Sequence, residues 1–309
     1  MKLKNKITIF ILVLMVFIGT ALIPDNYVES FKKEPEIIQD NEFYQPIKEY
    51  LTGRGLPGSF LDTLFSDRRI EFYPDILFDK QKMPSFKTSR PGNNVSKFHK
   101  YNLHQFTSEY SEYFEKAWEK YGVDKESICA VLYVETKFGR NTGNYSTLNV
   151  LISLAMADQE FALEDIEEYV EQNYHYMPHR KRNYIKQYYL NYARRKAERA
   201  RRELAILLKL YRQNKVDAKN LAGSYAGAFG YPQFLPSSYE KYAVDGDNNG
   251  KVDLFTFPDA ILSVGNFLKN HGWSHHLYAQ KQALRRYNNS ERYVADVLNI
   301  ARYFDQQPQ

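Results

Sequence analysis

One carboxyl group has an unusual placement in the stretch YVETKFGRNTGNY, residues 133–145. Ile128, Val131 and Leu132 recur at helical spacing before it, and Glu135 continues the same apolar stripe seven residues after Ile128. The preceding turn offers no Lys or Arg as a partner. Since burial disfavours the charged form of a carboxyl group, we expect a raised pKa, as a general acid requires. A glutamate that merely caps the helix end is the alternative.

An acidic loop, DGDNNGKVD, carries oxygen donors at alternating positions. Its first, third, fifth, sixth and ninth residues are Asp245, Asp247, Asn249, Gly250 and Asp253. This is the ligand rhythm of an EF-hand loop, in which glycine permits the sharp turn. The twelfth position is Thr256, where a bidentate glutamate normally closes the site, and Asp259 lies three residues further on. Hard oxygen ligands favour Ca²⁺. A solvated turn that holds no ion is the alternative.

A third stretch, GSYAGAFGYPQFLPSSYEKYAVD at residues 223–245, interleaves glycines with aromatic residues. Glycines let the backbone approach a ligand closely, while aromatic rings stack on it. Gln233, Ser237 and Ser238 add neutral hydrogen-bonding groups, which suit a polyhydroxyl or amide ligand better than a phosphate. The glycine spacing fits neither a dinucleotide-binding motif nor a P-loop. A tight loop with a purely structural role is the alternative.

The N-terminus and the composition indicate an exported protein. MKLKNK is basic and residues 7–23 are apolar, as in a signal peptide or an uncleaved membrane anchor, and both remain open. No cysteine lies near residue 20, so a lipoprotein is not expected. The single cysteine, Cys129, allows no intramolecular disulfide and is predicted to be a buried filler. The net charge is +5, but no dense Lys/Arg stripe with interleaved aromatics indicates a nucleic-acid partner.

Helical periodicity positions these groups, and sustained strand patterns are missing, so the predicted class is mainly α. One amphipathic helix is expected to end at Gly122, and the helix that carries Glu135 is expected to begin after an Asp124 N-cap. Residues 158–191 are interpreted as polar, Tyr-rich and irregular. Further helices are predicted at 193–213, 258–271 and 290–304, and a linker and a long loop at 25–41 and 80–100.

Four segments in this order resemble the lytic murein transglycosylases of the membrane-bound B type. They are VETKFGRNTGNYSTLNVLISLA, GSYAGAFGYPQFLPSSYEKYAVDGDNNGKVDLF, PDAILSVGNFLKNHGW and ALRRYNNSERYVADVL. A weaker match is YLTGRGLPGSFLDTLFS, so the resemblance covers most of residues 42–304. The second motif is the longest and most specific of them.

The resemblance implies a lysozyme-like core, at about 105–157 and 220–304, and an added helical domain, at about 42–80 and 158–215. It also implies an EF-hand-type Ca²⁺ loop that runs to a fifteenth position, and no organic cofactor. Members of this family cleave the β-1,4 bond between N-acetylmuramic acid and N-acetylglucosamine in peptidoglycan and leave 1,6-anhydromuramic acid ends. We expect a monomer that acts on glycan strands in the periplasm, soluble or held at the inner membrane by residues 1–24.

Carried over motif by motif, the resemblance assigns roles to individual residues. Glu135 matches the single catalytic glutamate, Ser224 the serine that orients the substrate N-acetyl group, and Gln233 a glutamine of the cleft. Tyr287 and Asn288 match a tyrosine and an asparagine near the catalytic acid. The implied ion ligands are Asp245, Asp247, Asn249, Lys251 through its carbonyl, and Asp259.

Two departures from the family pattern keep alternatives open. Phe267 stands where a tyrosine is frequent, so one hydroxyl is expected to be missing from the cleft, and residues 159–191 resemble an insertion. A non-catalytic peptidoglycan-binding or cell-wall assembly protein is therefore one alternative. Independently of these departures, a lysozyme-like muramidase that uses water with the same glutamate is a second alternative.

Overall fold

Helices dominate the computed structural model of this protein, which describes residues 35–38, 42–77 and 103–306. Within these ranges the α-helices are α1 (Gln45–Thr52), α2 (Gly58–Phe65), α3 (Leu103–Glu109), α4 (Ser111–Tyr121), α5 (Lys125–Thr136), α6 (Thr147–Ala155), α7 (Glu160–Tyr174), α8 (His179–Arg212), α9 (Pro236–Tyr242), α10 (Phe257–Asn270), α11 (Leu277–Tyr287) and α12 (Glu291–Asp305). One 3₁₀ turn spans Pro74–Ile76. Two short strands, β1 (Tyr145–Ser146) and β2 (Ala222–Gly223), pair antiparallel.

The helix boundaries follow local sequence signals. The Asp124 side chain accepts a hydrogen bond from the Ser127 amide and caps α5, as predicted, and Ser290 caps α12 in the same way. Gly122 ends α4 in the left-handed conformation that glycine adopts without strain. The helix expected before Gly122 is broken at Tyr110, which gives α3 and α4.

Two large apolar clusters hold the described residues together. In the first, α5 packs on α12 and α4 packs on α10, with Leu132, Phe234 and Val297 among its buried members. In the second, α6 and the C-terminal half of α8 pack with α1 and α2. The apolar residues of α6 pack in this second cluster, although the predicted core includes them. A third, small cluster draws its members only from residues 163–193.

The interpretation of residues 158–191 as irregular is wrong, because this stretch forms α7 and the first part of α8. Tyrosines had masked the helical periodicity. Ile166, Val170 and Tyr174 lie on one buried face of α7 and pack on Tyr189 and Leu190 of α8. Helix α8 therefore has 34 residues and is about 50 Å long. Helix α11, for which no helix was predicted, precedes α12.

Several predictions concern residues outside the described ranges. These are the signal peptide or anchor at 1–24, most of the linker at 25–41 and the loop at 80–100. Glu36, which belongs to the predicted linker, forms an antiparallel bridge with Phe72. Among the described residues, no helix combines the length and the apolar composition needed to cross a bilayer.

Candidate active site

The last turn of α5 presents Glu135 where the helix gives way to left-handed backbone. Lys137, Phe138 and Gly139 all have positive φ, so the chain turns away directly after the carboxyl group. Thr136 is fully buried, and its hydroxyl donates to the Tyr231 carbonyl at 2.9 Å and accepts from the Gly139 amide at 3.0 Å. These bonds fix the end of α5 against the glycine-rich stretch that follows β2.

The Glu135 carboxyl group lies in a largely apolar setting with one strong hydrogen bond. The Tyr293 hydroxyl donates to Oε1 at 2.7 Å. Burial raises the pKa of Glu135 to about 7, while the Tyr293 hydrogen bond and the nearby Lys137 ammonium oppose this rise. Glu135 keeps some exposure to solvent. At neutral pH a substantial fraction of Glu135 is therefore protonated and accessible, which is the state that a general acid needs.

Two tyrosines form the wall beside Glu135. The rings of Tyr287, at the end of α11, and Tyr293, on α12, are stacked with centroids 6.1 Å apart. The Tyr287 hydroxyl donates to the Pro232 carbonyl at 2.6 Å, which ties α11 to the stretch that carries Gln233. Burial and the nearby Glu135 charge raise the pKa of both phenols well above its ordinary value, so both stay neutral hydrogen-bond donors.

Tyr293 is the functional candidate that the sequence reasoning missed. It lies six residues after Tyr287, on a helix whose apolar stripe makes an aromatic residue look like core. The available signal was the polarity of the tyrosine hydroxyl, because a buried hydroxyl needs a hydrogen-bond partner. The sequence offers Glu135 as an inward-facing acid that could accept such a bond.

The glycine-rich stretch turns back on itself directly after β2, and this turn orders the Ser224 side chain. The Ser224 hydroxyl accepts from the Ala228 amide at 3.2 Å and, more weakly, from the Ala226 amide. Gly143 has φ 89°, and a Cβ there would lie 2.1 Å from the Gly223 carbonyl oxygen. Only glycine permits this close approach, so the turn after α5 and the Ser224 loop are packed backbone to backbone.

Gln233 adopts a positive φ of 51°. Its side-chain nitrogen Nε2 donates to the Gly230 carbonyl at 2.9 Å and to the Thr142 carbonyl at 3.1 Å. Its side chain thus joins the turn after α5 to the glycine-rich stretch. Ser237, predicted as a ligand-binding hydroxyl, instead donates to the buried Glu203 of α8 at 2.8 Å, and its amide bonds the same carboxylate. That serine has a structural role.

The structure separates the two remaining predicted cleft residues. Phe267 is only 5% exposed, and its ring packs against Tyr287 at 4.6 Å and His271 at 4.2 Å. Phe267 therefore packs against the Tyr287 ring as a buried residue. Asn288 directly follows α11 and is exposed. The structure brings Glu135, Tyr293 and Tyr287 together, and joins Gln233 to them through the Pro232 carbonyl.

The acidic loop brings three of its carboxylates into one cluster. Oxygens of Asp245, Asp247 and Asp259 lie within 4.8 Å of one another. Asp259, in the first turn of α10, is fully buried, and it accepts from the Gly246 amide at 2.7 Å and the Asp253 amide at 2.6 Å. Burial and the charges of Asp247 and Asp245 raise the pKa of Asp259, against the two amide hydrogen bonds.

The other predicted ligands have different surroundings. The Asn249 side-chain oxygen accepts from the Lys251 amide at 2.9 Å, and its side-chain nitrogen donates to Asp247 at 3.0 Å. Asp253 accepts from the Phe255 amide and so caps its own turn. Three converging carboxylates, one of them buried, are a donor set that fits a hard divalent cation. The closing carboxylate is supplied by Asp259 and not by the twelfth residue, Thr256.

Comparisons with known proteins relate the sequence of this chain to a family. The model of the transglycosylase SLT domain family matches residues 39–282. The membrane-bound lytic murein transglycosylase B of Escherichia coli (strain K12) is 36% identical over 168 residues. That match covers 54% of this chain and 37% of the relative.

Solved structures share the fold. The lytic transglycosylase SltB1 from Pseudomonas aeruginosa, in a catenated form, has a TM-score of 0.63 at 23% identity, over 86% of this chain and 98% of that one. The Escherichia coli lytic transglycosylase Slt35 in complex with calcium has a TM-score of 0.61 at 22% identity, over 91% and 97%. The predicted mainly α, lysozyme-like fold is confirmed.

The fold is thus the lysozyme-like fold of the solved lytic transglycosylases, and it presents the half-buried Glu135 at the end of α5. The chain belongs to the transglycosylase SLT domain family, and the resemblance to the membrane-bound B type is confirmed.

Proposed function

We propose that this protein is a lytic transglycosylase that cleaves the β-1,4 bond between N-acetylmuramic acid and N-acetylglucosamine in peptidoglycan. The observation that carries the proposal is the half-buried Glu135, with a pKa of about 7 and a hydrogen bond from Tyr293. Family membership supplies the substrate class, because the matched relative is a murein transglycosylase. The chain spans 37% of that relative's length, so the activity rests on the site as well as on the likeness.

In the proposed reaction Glu135 transfers a proton twice. Protonated Glu135 gives its proton to the glycosidic oxygen as the bond to C1 of the muramoyl sugar breaks. The resulting carboxylate then accepts the proton of the C6 hydroxyl, whose oxygen closes on C1. The products are a 1,6-anhydromuramoyl end and a free hydroxyl on N-acetylglucosamine, and no water is consumed. Among the charges of the described residues, the Lys137 ammonium acts on Glu135 and favours its ionised form.

The surrounding residues would position the sugar. We assign Ser224 to the substrate N-acetyl group, which itself helps to stabilise the oxocarbenium-like state, and Asn288 to the rim beside Tyr287. Tyr293 keeps the Glu135 carboxyl group oriented. Gln233 and Phe267 act indirectly, since the first joins two backbone segments and the second packs behind Tyr287.

Mass spectrometry of digested sacculi tests this function against both alternatives. We expect released muropeptides that carry anhydro ends, each lighter by one water than a reducing end. Reducing ends would instead assign a muramidase that uses water, and no release from sacculi that the protein still binds would assign a non-catalytic wall protein.

We also propose that Asp245, Asp247 and Asp259 hold Ca²⁺, with the Asn249 side chain and the Lys251 carbonyl as further ligands. The ion would neutralise a cluster of like charges and fix the loop before α10, a structural contribution. The calcium complex of Slt35, a protein of this fold, supports the choice of ion.

Calcium should raise the thermal stability of the protein. At a concentration about one hundred times its dissociation constant, a bound ion adds about 2.7 kcal/mol, so we expect the melting temperature to exceed that in chelator by several degrees. Asp245→Asn should lose this difference. Glu240→Gln, which removes one negative charge outside the loop, should keep it. Equal melting temperatures of the unmodified protein with Ca²⁺ and with chelator would contradict the ion site.

We propose an extracytoplasmic location, because the basic start and the apolar residues 7–23 indicate export. Those residues are outside the described ranges. The remaining expectations, namely a monomer with no lipid modification, no organic cofactor and no nucleic-acid partner, stay predictions.

A further inference from the structure

The hairpin of α7 and the first part of α8 carries its own small core. Ile166, Val170 and Tyr174 of α7 pack on Tyr189, Leu190 and Ala193 of α8. Beyond Ala193, the buried apolar residues of α8 join the two large clusters, beginning with Ala197 in the second. The tip of the hairpin, residues 172–184, therefore extends from the main body on a self-supported pair of helices. From Ala193 to the start of α8 the distance along the helix axis is about 20 Å.

The charge at this tip has one sign. Residues 172–184 include Arg180, Lys181 and Arg182, two histidines and no acidic residue. Glu171 pairs with Arg182 at 3.4 Å, whereas Arg180 and Lys181 lie exposed at the start of α8. The positive end of the helix dipole disfavours cations in the first turn, so helix stability does not account for them.

Aromatic side chains accompany these cations. Tyr176 is 69% exposed and Tyr184 is 68% exposed, among the most exposed aromatic side chains of the described residues. A tyrosine has an apolar ring and a polar tip, which suits the level of lipid headgroups, and Arg and Lys have apolar stems with charged ends. Met177 and Pro178 add apolar surface between the two tyrosines in sequence.

We propose that the hairpin tip, residues 172–184, is a docking surface for an anionic phospholipid membrane. Charge complementarity requires an anionic partner. A membrane needs no matching concave surface and presents many anionic headgroups, each cation at its surface strengthening binding about fivefold. Docking there would hold the main body at a set distance from the bilayer.

A fluorescent label at the tip of the full-length chain tests this docking. Asn183→Cys places the label at an exposed tip position, and Cys129 is fully buried and should stay unlabelled. Asn191→Cys, exposed and about 12 Å further along α8, is the matched control position. The label is environment-sensitive, so its emission reports contact with lipid locally, even where residues 7–23 bind vesicles by themselves. Vesicles of phosphatidylglycerol with phosphatidylcholine are compared with phosphatidylcholine alone.

We expect the label at position 183, and not at 191, to shift its emission with anionic vesicles only. Arg180→Ser with Lys181→Ser should raise the lipid concentration at half-maximal response about 30-fold. Arg195→Ser with Arg199→Ser, an equal charge change at exposed positions further along α8, should raise it less than threefold. An equal response to both vesicle types would overturn the proposal, as would equal effects of the two double variants. If Arg180→Ser with Lys181→Ser lost binding to purified sacculi but kept the vesicle response of the unmodified protein, the tip would be assigned to a wall polymer instead.

Discussion

Glu135→Gln should abolish the release of anhydro-ended muropeptides, with the rate falling by at least about a thousandfold. Glutamine matches the shape of the carboxyl group and can still accept the Tyr293 hydrogen bond, but it cannot transfer a proton. Both proton transfers of the proposed reaction are lost together, so a neighbouring group cannot rescue one half of the cycle. The measurement is the rate of anhydromuropeptide release from sacculi, followed by mass spectrometry.

Glu126→Gln is the matched control for this variant. Glu126 lies in the first turn of the same helix, nine residues and about 13 Å from Glu135, and burial raises its pKa too. Its loss should leave release close to that of the unmodified protein. Activity retained by Glu135→Gln, or lost equally in both variants, would remove Glu135 from the mechanism.

The stability of Glu135→Gln separates loss of chemistry from loss of fold. The pKa of Glu135 is raised from 4.5 in the unfolded chain to about 7 in the fold, so the folded protein binds more protons between these values. Its stability contribution is present below pH 4.5 and is lost as the pH rises through 7. Above pH 7 the ionised group costs up to about 3 kcal/mol, which glutamine avoids. The variant should therefore melt at or above the temperature of the unmodified protein at pH 8.

The sequence was most informative where one helix combines periodicity and chemistry. The stripe formed by Ile128, Val131 and Leu132 predicted an inward Glu135 with a raised pKa, and the structure shows both. Gly122, which ends α4, and Asp124, which caps α5, were predictable because capping depends on local backbone geometry. The alternating acidic residues of the loop DGDNNGKVD likewise predicted that Asp245 and Asp247 lie close together, because a short turn brings alternate side chains to one side.

Contacts between distant segments were not predictable in this way. Tyr293 reaches Glu135 across 158 residues of sequence, and nothing in either helix pattern states that their helices pack together. The same holds for Glu203 and Ser237, whose pairing turns an apparent ligand group into a structural one. In α7 and α8 the misleading feature was tyrosine, which occurs on both the buried and the exposed faces of the hairpin and so weakens the polar–apolar contrast on which periodicity depends.

Tyr293→Phe should move the pH dependence of cleavage as well as its rate. The Tyr293 hydroxyl donates to the carboxylate and thereby lowers the pKa of Glu135. Without it the protonated acid persists to higher pH. A hydrogen bond to a charged group is worth about 1.5–3 kcal/mol, so the basic limb of kcat/KM should shift upward by about one to two pH units. Measurement of kcat/KM on soluble glycan fragments between pH 5 and about 9 gives this limb.

Tyr287→Phe is the control that distinguishes proton tuning from positioning. The Tyr287 hydroxyl bonds the Pro232 carbonyl and not Glu135, so its removal leaves a backbone acceptor unpaired in the stretch that carries Gln233. We expect a lower rate at every pH with the basic limb in its original place. If Tyr293→Phe behaved in the same manner, its hydroxyl would only hold the fold, and burial and the Lys137 ammonium would set the pKa of Glu135.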